Sequence, residues 1–151
     1  MAGLLHDLGK IPLNKQFPRE HVRAVEMTKL GQGPLHQAEH ITFGFDHCLV
    51  GKMIAEKWRL GESLVEVLSH HHDLEAAKIE HRQFIALVAL ANIYANVFGI
   101  GSSGNPYPDD TFLTRLIEEV GIERSTLSGL RETVVEDIEK AKIFLQIAKR
   151  S

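Results

Sequence analysis

The sequence predicts an all-α fold, and three observations carry that prediction. No stretch of the 151 residues alternates apolar and polar side chains with the period of two that a half-buried strand shows. Apolar residues instead recur every three or four positions in one segment after another. Between those segments stand the residues that stop helices and turn chains, at Gly31-Gln32-Gly33-Pro34, Gly44, Gly61, Gly99 and Gly121.

Taken in order, Met1 to Leu8 reads as the last turns of a buried helix. Gly9 stands where a left-handed residue closes such a helix, and Pro12 keeps it from resuming. Ile11 to Phe17 then reads as a loop punctuated by Pro12 and Pro18. Arg19 to Leu30 is a helix with Val22, Val25, Met27 and Leu30 among charges. Leu35 to Thr42 is a short helix carrying His36 and His40. Asp46 is an N-cap for a helix from His47 to about Arg59, whose apolar face is Leu49, Val50, Met53, Ile54 and Trp58. Gly51, one turn after His47, lets another backbone approach at a propensity cost of about 1 kcal/mol. Glu62 to His71 is the next helix, with Leu64, Val65, Val67 and Leu68 apolar, and it runs into His70-His71-His72-Asp73. Arg82 to Phe98 is the most apolar segment and reads as a core helix. Ser102 to Pro108 is a loop. Asp109 or Asp110 caps a helix to Val120. Ser125 caps the last one, whose positions Leu127, Leu130, Val134, Ile138, Ala141, Leu145 and Ala148 form an amphipathic stripe. The whole reads as a single domain, residues 1–151, of about 6–8 helices. Residues 1–101 carry the motifs and residues 109–151 form a closing helix pair.

Composition narrows the function. With 44% apolar and 25% charged residues this is an ordinary globular chain, long enough for a sizeable core. A net charge of -3 without a Lys/Arg block gives no footprint for nucleic acid. Asn92 and Asn96 interrupt the apolar segment, which is short for a membrane span. Cys48 is the only cysteine, so no internal disulfide forms, and a reducing cytoplasm is the expected location. Met1-Ala2-Gly3 runs directly into the first apolar turns, with no signal peptide. A buried helix that begins there is expected to find its neighbours in a longer chain.

The chemistry lies in the nine histidines. His6 and Asp7 sit side by side at an apolar helix end, where each needs a partner. They can bond each other, or a divalent ion can serve both. His47 opens a later helix, and His71 and His72 close another. Ligands from separate helix ends can converge on one point. The remaining candidates have plainer readings: Cys48 as a small buried hydrophobe, Asn92 and Asn96 as satisfied amides one turn apart, and His21, His36, His40 and His81 as surface or locally bonded residues. The last helix packs on its own domain by default, with a homodimer as the second use of its stripe.

The series Gly3-Leu4-Leu5-His6-Asp7-Leu8-Gly9-Lys10, Gly44-Phe45-Asp46-His47, Val50-Gly51, Trp58-Arg59-Leu60 and His71-His72-Asp73 resembles the HD superfamily of metal-dependent phosphohydrolases. More narrowly it resembles the HDOD branch, the HD-related output domains of bacterial signalling proteins. The resemblance covers residues 2–101 and implies an HD-type helical bundle. It places metal ligands at His6, Asp7, His47, His71 and His72, and a phosphate-meeting lysine at Lys10. In an enzyme of this type Asp7 and Lys10 would serve catalysis, with metal-bound hydroxide attacking a phosphodiester of a nucleotide or cyclic dinucleotide. Three departures weigh against turnover. The earlier upstream histidine of the pattern is absent, Asn92 stands where an aspartate ligand is expected, and no Gly-Tyr-Pro follows His71-His72. One ligand carboxylate cannot balance the four charges of two divalent ions in a partly buried site. The expectation is therefore an output domain, holding at most one Fe, Mn, Zn or Ni ion and acting on signalling proteins or domains.

Overall fold

The computed structural model describes residues 1–31, 33–99 and 110–148, and every regular element among them is helical. In chain order these are α1 (Ala2–Leu5), α2 (Lys10–Gln16), α3 (Pro18–Lys29), α4 (Leu35–Phe43), α5 (His47–Lys57) and α6 (Glu62–His70). Two 3-10 turns (Leu74–Ala76 and Ile79–His81) lead into α7 (Arg82–Val97), followed by α8 (Asp110–Val120) and α9 (Arg124–Ala148). The all-α expectation holds. None of these helices is long and apolar enough to cross a membrane.

Residues Met1–Val120 form one compact unit. Within it α3 packs on α4, α5 on α6, and α7 on α8, while α1 touches both α6 and α7. Leu13, Leu35, Leu68, Ile85, Leu90 and Leu116 are fully buried, each burial stabilising the fold by about 1.5–3 kcal/mol. Residues Gly121–Ser151 form a second unit built on α9.

Four local expectations need correction. Ile11 to Phe17 is not a loop: it is mostly α2. Pro12 falls at its third position, inside the first turn, where no intrahelical donor is missed. Gly9 is not left-handed, having φ -62°. It must be glycine for another reason, since a Cβ there would overlap the carbonyl oxygen of His47 and crowd the Gly51 nitrogen at 2.8 Å. Gly51 itself lies against Gly9 and Leu68, as a close backbone approach requires. α9 starts at Arg124, one residue before the expected cap Ser125, whose hydroxyl bonds Glu123 at 3.1 Å.

The fourth correction concerns α5. Asp46 caps it as expected, accepting from the Leu49 amide at 2.9 Å. Its buried face, however, is His47, Cys48, Gly51 and Ala55. Leu49, Met53 and Trp58 are exposed, and the first two help line an apolar groove of about 520 Å³ with Phe17 of the α2–α3 junction and Phe45. Gly44 at φ 83° ends α4 as predicted, in the left-handed region that only glycine enters cheaply. The Ser102–Pro108 loop and Asp109 lie outside the described residues.

Candidate functional site

Three helix ends meet beneath Gly9. The turn after α1 carries His6 and Asp7, α5 begins with His47, and α6 ends just before His71. The Gly9–Gly51 contact draws the first two together, and packing of α5 on α6 brings in the third.

Each of three imidazoles has its Nδ1 committed to an oxygen that can only accept. His6 Nδ1 donates to Gly3 O at 2.7 Å, and His71 Nδ1 to Val67 O at 3.0 Å. His47 Nδ1 donates to Glu39 Oε2 at 2.5 Å. A neutral imidazole carries one proton, so each ring turns an Nε2 lone pair toward Asp7. His47 Nε2 lies 3.2 Å and His71 Nε2 3.5 Å from Asp7 Oδ1. The two Nε2 atoms are 3.3 Å apart, and His6 Nε2 is 3.3 Å from Asp7 Oδ2.

Lone pairs that face one another at these distances repel unless positive charge lies among them. Two ligands about 2.0–2.1 Å from one ion, at the tetrahedral angle, are themselves about 3.3–3.4 Å apart. The donor set of three imidazoles and a carboxylate suits Zn, Fe, Mn or Ni. His6 Nε2 and Asp7 Oδ1 are moreover buried without a hydrogen-bond partner. His47, His71 and Asp7 Oδ1 therefore fit a single divalent ion, with His6 on the other oxygen of Asp7. With protons in place of a metal the same demand appears as shifted acidities. Burial raises the Asp7 carboxyl, but hydrogen bonds from His47, His6 and His71 outweigh it and hold the group well below the carboxylate range. Burial lowers His71, yet Asp7 and Cys48 bring it up to about 9. His47 is likewise driven up against its burial, by Asp7, Cys48 and Glu39.

Other expected residues take different places. Lys10 Nζ bonds Asp7 Oδ2 at 2.7 Å, leaving Oδ1 for His47 and His71. His72 does not share the Asp7 oxygens; its ring stacks on His36, 4.4 Å away and 15° from parallel. Stacked planes cannot both contain one ion, so His36 and His72 do not form a joint pair of ligands in this arrangement. His36 is thus neither a surface residue nor locally bonded: burial lowers it to about 4, helped by His47. Burial and the neighbouring His71 also keep His72 well below its ordinary value. His72 still lies close enough to His47, Cys48 and His71 to stand as an alternative ligand. Cys48 Sγ is 3.9 Å from both ring nitrogens of His71. Being equidistant, it faces the ring off the Nε2 axis. The carbonyl and side-chain oxygens of Asn92 accept from Asn96 Nδ2 at 2.8 and 3.3 Å, and no hydrogen bond joins Asn92 to the imidazoles among the described residues.

Glu39 was not foreseen. It is fully buried, and its Oε2 accepts from the His47 backbone amide at 3.0 Å as well as from the ring. One signal was available: Glu39 shares the buried face of α4 with Leu35 and Ala38, an odd place for an acid.

Comparison with known proteins agrees with the motif series. Residues 1–74 match the family model for the HDOD domain. The crystal structure of an HDOD domain protein of unknown function from Geobacter sulfurreducens superposes with a TM-score of 0.70 at 29% identity, covering 89% of this chain. Over residues 1–74 the chain matches the HDOD family, and the superposition agrees. It is also 29% identical over 93 residues, 62% of its length, to an uncharacterized protein of Treponema pallidum (strain Nichols). The chain spans 49% of the Geobacter protein and 18% of the Treponema protein, so the HDOD region here corresponds to a part of each.

Proposed function

We propose that this HDOD chain is a bacterial signalling output domain that holds one divalent ion and works by binding rather than by turnover. The carrying observation is the convergence of two Nδ1-committed imidazoles, His47 and His71, on an Asp7 oxygen that has no donor, with His6 against the other oxygen of Asp7. His6, Asp7, His47 and His71 would hold the ion. When bound, it would tie the ends of α1, α5 and α6 to one point and present positive charge to an anion. Lys10, beside Asp7, adds to that charge, so a small phosphate-like ligand suits the mouth of the site. Partners would be signalling proteins or domains.

The alternative is a metal-dependent phosphohydrolase acting on a nucleotide or cyclic dinucleotide. Asn92 argues against it, because an amide bonded to Asn96 brings no negative charge for a second ion. Purified, untagged protein should take up close to one equivalent of Zn²⁺ or Mn²⁺, and Asp7→Ala should lose it. The loaded protein should not hydrolyse bis(4-nitrophenyl) phosphate. Turnover that disappears in Asp7→Ala would establish the hydrolase instead, and a wild-type chain that takes up no metal would overturn the metal-holding reading.

A further inference from the structure

We infer that Glu39 is the positioning residue of this site and its second counter-charge, fixing the tautomer of His47 and making one divalent ion the cargo the cluster accepts. The inference rests on the single-ion reading above.

The geometry is unusual for a glutamate. The side chain has no exposed surface. Oε2 is shared by two donors of one residue, the backbone amide of His47 at 3.0 Å and its Nδ1 at 2.5 Å. Oε1 is buried with no partner at all. Among the described residues the ion pair recorded for Glu39 runs to His47 alone. A buried carboxylate without a strong cation is costly, so its charge must be answered through the His47 ring. The far nitrogen of that ring faces Asp7 and His71. An ion placed there would be joined to Glu39 through one imidazole, an arrangement that fixes the ring and makes its free nitrogen more basic.

Charge gives the same answer. The groups facing the cluster are Asp7, Glu39 and Lys10, with His6, His36, His71 and His72 as imidazoles and Cys48 as a thiol. Asp7 already shares an oxygen with Lys10. Alone it would leave most of a dication unbalanced, and Glu39 supplies the missing negative charge from behind His47. Two ions would again exceed what these carboxylates balance.

Glu39→Gln separates this role from a merely structural one. The amide oxygen can accept from the His47 amide and from Nδ1–H, so the fold contacts survive while the charge is lost. Zinc titration by calorimetry, with Co²⁺ visible spectra as the readout of coordination, would compare wild type with Glu39→Gln. The expected result is one equivalent bound by wild type, and a Kd raised about 10–100-fold in Glu39→Gln with unchanged melting temperature in EDTA. If both bind one equivalent equally well, the positioning role falls while the metal site stands. If wild type binds none, the single-ion reading fails and the inference with it. Should Glu39→Gln melt far below wild type, Glu39→Asp serves as the second variant. It keeps the charge on a shorter reach, and restored zinc affinity supports the counter-charge role, while affinity as low as that of Glu39→Gln overturns it.

Discussion

The two faces of α5 are inverted relative to a common amphipathic helix. The inward face carries a histidine, a cysteine, a glycine and an alanine, all buried. The outward face carries Leu49, Met53 and Trp58, exposed by 48%, 62% and 61%. Hydrophobicity alone would turn the helix over, since each large apolar side chain buried is worth about 1.5–3 kcal/mol. Two features hold it in place. His47 satisfies Glu39 and Asp7 only from the inward side, and the Gly9–Gly51 approach leaves no room there for a large residue. Burial on this helix follows from the site and from backbone proximity.

The largest expected effect breaks that proximity. Gly9→Ala keeps an ordinary helical φ, so its cost is steric alone: the new methyl would overlap the His47 carbonyl oxygen. Since the obstacle is backbone, the α1–α2 turn and α5 would have to separate. We expect a loss of about 3 kcal/mol or more, with zinc binding lost as well. Gly3→Ala is the matched control, because nothing lies within 4 Å of a Cβ at Gly3. There the substitution should be neutral or stabilise α1 by up to about 1 kcal/mol. Urea unfolding of both variants checks the pair, and equal stabilities would show that the two backbones are free to move apart.

The same inward face was only partly legible in the sequence. His6, Asp7, His47 and His71 could be named because each stands at a helix end beside a stop or cap residue, and termini are where ligands from different helices can meet. Glu39 offered only its place on the buried face with Leu35 and Ala38, a weak signal, since an acid within a helix is nearly always solvated and no spacing ties it to His47 eight residues later. The outward face misled for a physical reason too: periodicity locates an apolar stripe but does not say that a polar one wins the interior. α2 was hidden by Pro12, which stops a helix in its interior but is harmless in its first turn. The all-α class was secure throughout, because the absence of two-residue alternation does not depend on tertiary detail.

A middle-sized effect sharpens the comparison through pH. In metal-free protein the raised His71 stabilises the fold fully below its ordinary value of 6.5, and the gain is lost as pH rises through about 9. Asp7 is depressed, so its contribution is present above its ordinary value of 3.8 and is lost only as pH falls well below it. The depressed His36 and His72 act the other way and penalise the fold as pH falls below 6.5. Stability in EDTA should therefore be greatest near pH 6.5 and decline toward pH 9. Zinc competes with the same protons, so the rise in Tm on adding zinc should grow between pH 6 and 9. A zinc shift independent of pH would mean that the ion binds elsewhere than among these imidazoles.

The smallest effect belongs to the outward face, and its smallness is the point. Met53→Gln and Trp58→Gln remove apolar groups that are already largely in water, so each should change stability by no more than about 0.5 kcal/mol. Ala55→Leu, two residues from Met53 but fully buried, adds volume where none is free and should cost about 1–3 kcal/mol. Thermal melts of the three variants would rank them. Were Met53→Gln to cost as much as Ala55→Leu, the outward face would be covered by another part of the folded chain. If the ranking holds, Leu49 and Met53 stay in place for a reason other than the stability of this domain. The groove is built on the helix that also carries His47, so turning that helix over to bury Leu49 and Met53 would withdraw His47 from Glu39 and Asp7.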